Sequence, residues 1–195
     1  MKHKVYVWDI AVRLFHWSLV AAFVANAFFT RPGKTSHRYV GYIVAALIAA
    51  RVIWGLIGSK SARFKDFPPS VMGALHQVGE MATGRKGRHV GHSPLGAFMI
   101  YNLLLAMAGI ALTGYMMTTV AYFGVDWVGT AHELLVNWAE ASIVLHVVAV
   151  IAESRRLRVN LAKSMVTGYK EFGDLPATFD ADREVESVGH GVAKS

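Results

Sequence analysis

The sequence contains no cysteine, which excludes disulfides, iron–sulfur clusters and thiol chemistry. Charge is sparse as well. Only 17% of the 195 residues are charged, and they are segregated from long uncharged runs. Acidic residues number 13 against 20 Lys and Arg, a net charge of +7. That excess reads as basic loops held against a membrane rather than as a nucleic-acid surface. No internal repeat or low-complexity tract stands out, and no small-residue cleavage site follows the first apolar run. That run is therefore expected to remain as an uncleaved first helix.

What the chain has instead is apolar surface, at 54% hydrophobic residues and a mean hydropathy of +0.37. Four segments approach the roughly 20 apolar residues that a helix needs to cross a bilayer. They run approximately over 10–29, 39–57, 95–120 and 132–152. Pro and Gly punctuate the three connections. The expected fold is all-α: an integral membrane four-helix bundle over residues 1–168. The polar stretch 169–195 is read as a flexible cytoplasmic tail.

Orientation follows from the Lys and Arg outside the spans. Fifteen fall on one side: Lys2 and Lys4; Lys60, Arg63, Lys65, Arg85, Lys86 and Arg88; and seven from Arg155 onward. The other side has Arg31, Lys34 and Arg38. Both termini are therefore expected in the cytoplasm, and the protein as a multi-pass component of a bacterial inner membrane.

The stretch "AHELLVNWAEASIVLH" puts His132 and His146 fourteen residues apart. On a helix that spacing is about 21 Å, and it returns the second side chain close to the azimuth of the first. His16 enters the first span from the cytoplasmic side and His37 opens the second from the outer side. The four histidines sort by depth, His16 with His146 at the inner level and His37 with His132 at the outer. Helical bundles build cofactor sites from facing helices, and neutral imidazole is an axial ligand for haem iron. Two stacked pairs would hold two haems. Each iron would be coordinated on both faces, which favours electron transfer over oxygen binding. Against this, a histidine at a helix end is commonly an interfacial polar residue. Ionisable residues at the depth of His16 and His146 are functional by default.

Arg13 lies beside His16, and Arg51 follows His37 by fourteen residues on the same face. Either is placed to pair with a haem propionate or to snorkel to headgroups. Asp9 and Arg13 also have the i,i+4 spacing of a helical ion pair. Glu140, near mid-span, is open to three roles: protonated and inert, ion-paired, or a proton relay to a quinone. Gly41, Gly55, Gly109 and Gly114 permit close helix packing or leave room for a flat cofactor. Trp8, Tyr39, Trp54, Tyr122 and Trp127 fit an interfacial aromatic belt. His76, His89 and His92 lack the companions zinc requires. His92, Ser93 and Pro94 read as the entry to the third span. His3 and His190 read as incidental.

Four stretches together carry a family resemblance: "VWDIAVRLFHWSLV", "SHRYVGYIVAALIAARVIWGLIGSKSARF", "GHSPLGA" and "HELLVNWAEASIVLH". Over about Val7 to Gly168 the chain resembles the bacterial cytochrome b561 family, including its hydrogenase-associated b-type members. The resemblance implies a four-helix membrane cytochrome with two haem b groups, ligated by His16, His37, His132 and His146. It implies respiratory electron transport between the membrane quinone pool and a periplasmic partner, a c-type cytochrome or a hydrogenase subunit. Such a carrier could act as a quinol/quinone oxidoreductase. Glu140 departs from the apolar pattern expected of that helix. Two other functions remain open on the residues alone. One is a metal or proton transporter lined by the same histidines. The other is a haem-edge reductase or oxidase drawing an anion such as superoxide towards Arg31, Lys34 and Arg38.

Overall fold

The computed structural model describes residues 3–59, 62–83 and 93–172. In chain order its elements are strand β1 (His3–Tyr6), α1 (Ile10–Val24) running into a π-helical turn (Ala25–Phe29), and α2 (Thr35–Ile57). A 3-10 turn (Phe64–Asp66), α3 (Val71–Ala82), α4 (Pro94–Met116), α5 (Asp126–Leu157), α6 (Leu161–Thr167) and strand β2 (Tyr169–Phe172) follow. Four of these helical stretches, Ile10–Phe29, Thr35–Ile57, Pro94–Met116 and Asp126–Leu157, are long and apolar enough to cross a membrane.

Local chemistry sets the helix starts. Asp9 caps α1, its carboxylate accepting from the Val12 N–H at 2.8 Å, and Ser93 caps α4 with Pro94 in the first turn. Both satisfy amides that have no partner within the helix. α5 ends where Arg158 turns left-handed at φ 54°.

The spans differ from their expected limits. α2 begins at Thr35 rather than residue 39, so His37 lies within the helix. α4 stops at Met116, and the residues expected to continue it to 120 form turns. α5 has 32 residues against the expected 132–152, and His132 lies nearly two turns inside it. Hydropathy marks only the apolar middle of such a helix, whereas its hydrogen-bond ladder continues through Asp126, Glu133 and Glu153. At 1.5 Å per residue α5 is about 48 Å long, well beyond a hydrocarbon core of about 30 Å.

The helices pack in sequence: α2 against α1 and α4, then α4 against α5. Val44, Ile48 and Met107 form the buried centre, with Phe15, Leu19 and Phe23 against it. Large side chains such as Phe28, Phe29, Leu105 and Leu145 point outward, as lipid-facing positions should. A Cβ on Gly109 would lie 2.9 Å from Leu135 Cδ1, so α4 and α5 approach closely there. Between these two helices Asn102 donates to Ser142 Oγ at 2.9 Å and accepts from Trp138 Nε1 at 3.0 Å. Such interhelical bonds contribute on the order of 0.6 kcal/mol each in membranes.

α3 lies against the first turn of α4, where buried Gln77 accepts from the Leu95 N–H at 3.0 Å. Its Val71, Met72, Leu75 and Val78 are exposed. Four exposed apolar side chains on one short helix suit a helix lying in the membrane interface.

The all-α expectation is corrected by a two-stranded sheet. β1 pairs antiparallel with β2, Val5 opposite Lys170 and Tyr6 opposite Tyr169. Residues 169–172, assigned to the tail, are thus strand, and 173–195, including His190, lie outside the described residues, as do Lys2, Lys60, Arg85, Lys86, Arg88, His89 and His92. The two strands meet at one end of the bundle, where they satisfy each other's backbone groups. Gly168, at φ 88°, makes the reversal, and its carbonyl accepts from the Val7 N–H at 2.9 Å. Trp8 Nε1 donates to Ser164 Oγ, and Trp17 Nε1 to the Met165 carbonyl, both at 3.3 Å.

Lys170 in β2 is 6% exposed. Burial pushes its ammonium down to about 8 from the ordinary 10.5, against the pull of Glu153. Below about pH 8 both folded and unfolded chains hold this proton, and the sheet bears the full cost of the buried charge. Between there and the ordinary value only the unfolded chain holds it, so stability rises by up to about 1.4 kcal/mol per pH unit. Amide-exchange protection of the β1–β2 ladder, corrected for intrinsic rates, should increase from pH 7.5 to 9.5. Lys170→Met should abolish that increase.

Candidate cofactor-binding site

The histidines expected at each level influence one another electrostatically, on the inner side and on the outer. The imidazoles of His16 on α1 and His146 on α5 lie within electrostatic reach of each other. So do those of His37 on α2 and His132 on α5. α5 packs against α4 and α6 but only sparsely against α1 and α2. Each pair therefore bridges helices that are not in close contact, and each ring is half-buried. One helix, α5, supplies a member of both pairs from one face.

The outer rings are anchored by threonines that the sequence reading did not select. Thr30 Oγ1 lies 3.1 Å from His37 Nδ1, and Thr113 Oγ1 lies 2.9 Å from His132 Nδ1. Depth matching had a signal to offer here, since Thr113 ends α4 at the level where His132 sits on α5. Thr30 follows the π-helical turn, a distortion common at functional sites. Gly114 makes room for the outer pair: a Cβ there would lie 3.3 Å from His132 Cε1. Gly41, one turn below His37 on nearly the same face, has open space where a Cβ would stand.

The inner level has a different character. His16 Nδ1 is buried without a hydrogen-bond partner, as are Arg13 Nε and Arg51 Nη1. Arg13 spends one Nη donating to the Thr167 carbonyl at 3.2 Å. Arg51, 5% exposed, donates through Nη2 to the Ala62 carbonyl at 3.1 Å and stacks on Phe64, its Cζ 4.8 Å from the ring centroid. Phe64 also fills the space beside Gly55 and lies 5.6 Å from Tyr101. Arg51 thus fastens the α2–α3 connection, with one buried nitrogen left over.

The expected Asp9–Arg13 pair gives way to a different arrangement. The Asp9 carboxylate accepts from Val12 N–H, from Trp54 Nε1 at 3.1 Å and from Ser59 Oγ. Capping competes with i,i+4 pairing for a carboxylate at a helix start, and here capping wins. Burial pushes the Asp9 carboxyl up, but the three hydrogen bonds and the Arg51 charge outweigh it and hold the group below its ordinary value.

Glu140 is exposed on α5. His76 stands 3.8 Å from Glu80 on α3 and is largely exposed. Among the described residues no group of three or more His, Asp or Glu is arranged to hold a bare metal ion. The donor sets present are pairs of imidazoles within electrostatic reach of each other, with unspent nitrogens on Arg13 and Arg51 and open room beside Gly41. That fits a flat, doubly ligated, carboxylate-bearing group such as haem.

Comparison with known proteins agrees. The family model described as prokaryotic cytochrome b561 matches residues 7–168. A probable Ni/Fe-hydrogenase B-type cytochrome subunit of Cupriavidus necator is 29% identical, with 87% of this chain and 88% of that protein aligned. Proteins of the same description from Rhizobium leguminosarum bv. viciae and Azotobacter vinelandii are 22% and 25% identical, over 89% and 87% of this chain and 91% and 90% of theirs. No solved structure is significantly similar. Four apolar spans, paired intramembrane histidines and a family match across the whole membrane part make this chain a member of the prokaryotic cytochrome b561 family, a multi-pass membrane cytochrome of electron transport that carries haem b.

Proposed function

We propose that the protein carries electrons across the bacterial inner membrane through two b-type haems, one held by His16 and His146 and the other by His37 and His132. The observation that carries this reading is that His16 and His146, and His37 and His132, lie within electrostatic reach of each other, with the two α5 members fourteen residues apart.

When bound, the haem irons supply one-electron chemistry, and the protein supplies ligation, orientation and electrostatics. Each imidazole pair would supply two nitrogen ligands to its iron, a donor set suited to electron transfer rather than to binding a small molecule. The two levels, about 21 Å apart along α5, divide the passage across the bilayer into steps. Arg13 Nε and Arg51 Nη1, buried without partners in the protein, are available to propionate oxygens, the carboxylate geometry for which arginine is suited. The fifteen Lys and Arg on the side of both termini favour a cytoplasmic location for the sheet and for the polar tail after it.

The relatives named as hydrogenase cytochrome subunits favour a hydrogenase as the periplasmic partner over a c-type cytochrome. The membrane quinone pool stands at the other end of the chain of transfer. In that role the protein works as a quinol/quinone oxidoreductase only together with its partner.

The test is an absorption spectrum of detergent-purified protein, oxidised and dithionite-reduced, with haem quantified per chain. Two six-coordinate, low-spin b-type haems are expected. A single haem per chain would overturn the double pairing, and a colourless protein would return the histidines to a transport pathway.

A further inference from the structure

We infer that Thr30 and Thr113 are positioning residues for the outer haem, holding His37 and His132 in the tautomer that protonates Nδ1 and turns the Nε2 lone pair towards iron. The inference rests on the proposed ligation and adds to it which residues set the chemistry of the outer ligands.

The argument is a count of protons. A threonine hydroxyl has one hydrogen to donate and two lone pairs to accept with. Thr113 Oγ1 stands 2.7 Å from the Gly109 carbonyl and 3.2 Å from the Ile110 carbonyl. Carbonyls only accept, so the hydroxyl proton is committed to them. The contact of 2.9 Å between Thr113 Oγ1 and His132 Nδ1 can then be a hydrogen bond only if Nδ1 carries the proton. A proton on Nε2 instead would leave two lone pairs facing each other and a carbonyl at 2.7 Å without a hydrogen between.

The same count holds at the other ring. Thr30 Oγ1 lies 2.9 Å from the Asn26 carbonyl and 2.7 Å from Asn26 Oδ1. Its proton is committed within the π-helical turn, and at 3.1 Å His37 Nδ1 must donate to it. Two unrelated elements, the end of α4 and the loop after the π-helical turn, thus reach the same arrangement.

A neutral imidazole with Nδ1 protonated has its lone pair on Nε2. A hydrogen bond from the far nitrogen orients a metal-bound ring and raises its basicity. A more basic ligand stabilises ferric over ferrous iron. Both outer imidazoles have this support, whereas His16 Nδ1 is buried without any hydrogen-bond partner. The threonines therefore lower the potential of the outer haem and leave the inner one untouched.

Thr30→Val and Thr113→Val keep the side-chain shape and remove the hydroxyl. Thr30→Ser and Thr113→Ser keep the hydroxyl. In a redox titration of the haem-loaded protein, with low-temperature EPR of the ferric state, each valine variant should shift one midpoint potential upward. The EPR signal of the same haem should change and the other haem should stay as in the parent. Each serine variant should stay close to the parent. Loss of the outer haem in a valine variant, with the inner haem kept and the serine variant fully loaded, supports the inference equally.

Unchanged potentials and EPR signals in both valine variants would overturn it, as would serine variants that behave like valine. The inner haem reports folding in every variant, and the two threonines sit on separate elements, so a variant that fails to fold leaves the other to decide. A parent without haem would remove the underlying ligation. That result is distinct from a parent with two haems whose potentials ignore both hydroxyls.

Discussion

His16→Ala and His146→Ala proteins are each expected to purify with the outer haem alone, one haem per chain where two are proposed for the parent. Each change removes one of two axial imidazoles, and no other histidine on the described chain stands at that level. The outer pair draws its ligands from different turns of α2 and α5 and is anchored by its own threonines, so it should stay loaded. His37→Ala and His132→Ala should show the converse. Haem content per chain, with a redox titration to identify the remaining centre, is the measurement. Full loading after any of these four changes would end the pairing, and equal loss of both haems after each would mean that the sites fold as one unit.

The second large effect lies away from the haems. Asp9→Ala should destabilise the detergent-solubilised protein by about 3 kcal/mol, the scale for deleting a buried, hydrogen-bonded carboxylate. One carboxylate caps α1, accepts from Trp54 and Ser59 at the end of α2, and faces the Arg51 charge. Its loss unfastens two spans at once and leaves buried donors without an acceptor. Asp9→Asn should cost less, because an amide oxygen still caps the helix. Thermal unfolding followed by circular dichroism reads both. The carboxyl is held below its ordinary value, so its contribution is complete above about pH 4 and is lost as the pH falls through the folded value. Asp9→Ala should accordingly flatten the acid limb of the stability profile, and an unchanged melting temperature would remove Asp9 from the fastening role.

Hydropathy alone made the four spans legible, because lipid demands a run of apolar residues whatever else the helix does. The grouping of the histidines could be read for a related reason: once depth is assigned, residues at one level on different spans fall together. The ends of the helices were not legible, since α5 continues through charged residues that hydropathy excludes. Neither were β1 and β2. "HKVY" and "YKEF" are four residues each, too short to show an alternating pattern, and they form only because the bundle brings the chain ends together. Asp9 was assigned to Arg13 by spacing along one helix, whereas its partners lie some fifty residues away in Trp54 and Ser59. Thr30 and Thr113 escaped notice because a threonine near a helix end has no distinguishing pattern until the ring beside it is seen.

The antiparallel pairing of β1 with β2 bears on how the protein is made. Residues 3–6 are synthesised before the four candidate spans and wait for residues 169–172, an interval of roughly ten to thirty seconds at ordinary synthesis rates. Over that interval α1 and α2 can enter the bilayer and pack, but neither histidine pair exists, because both need a ring from α5, the last span to emerge. On the proposed ligation, haem can be held at either level only after α5 has arrived. A chain stalled before Gly168 would have all four histidines and still lack the β1–β2 pairing that joins the segment before α1 to the segment after α6. The β1–β2 pairing spans more of the sequence than either histidine pair, so it is the later of these contacts to become possible during synthesis.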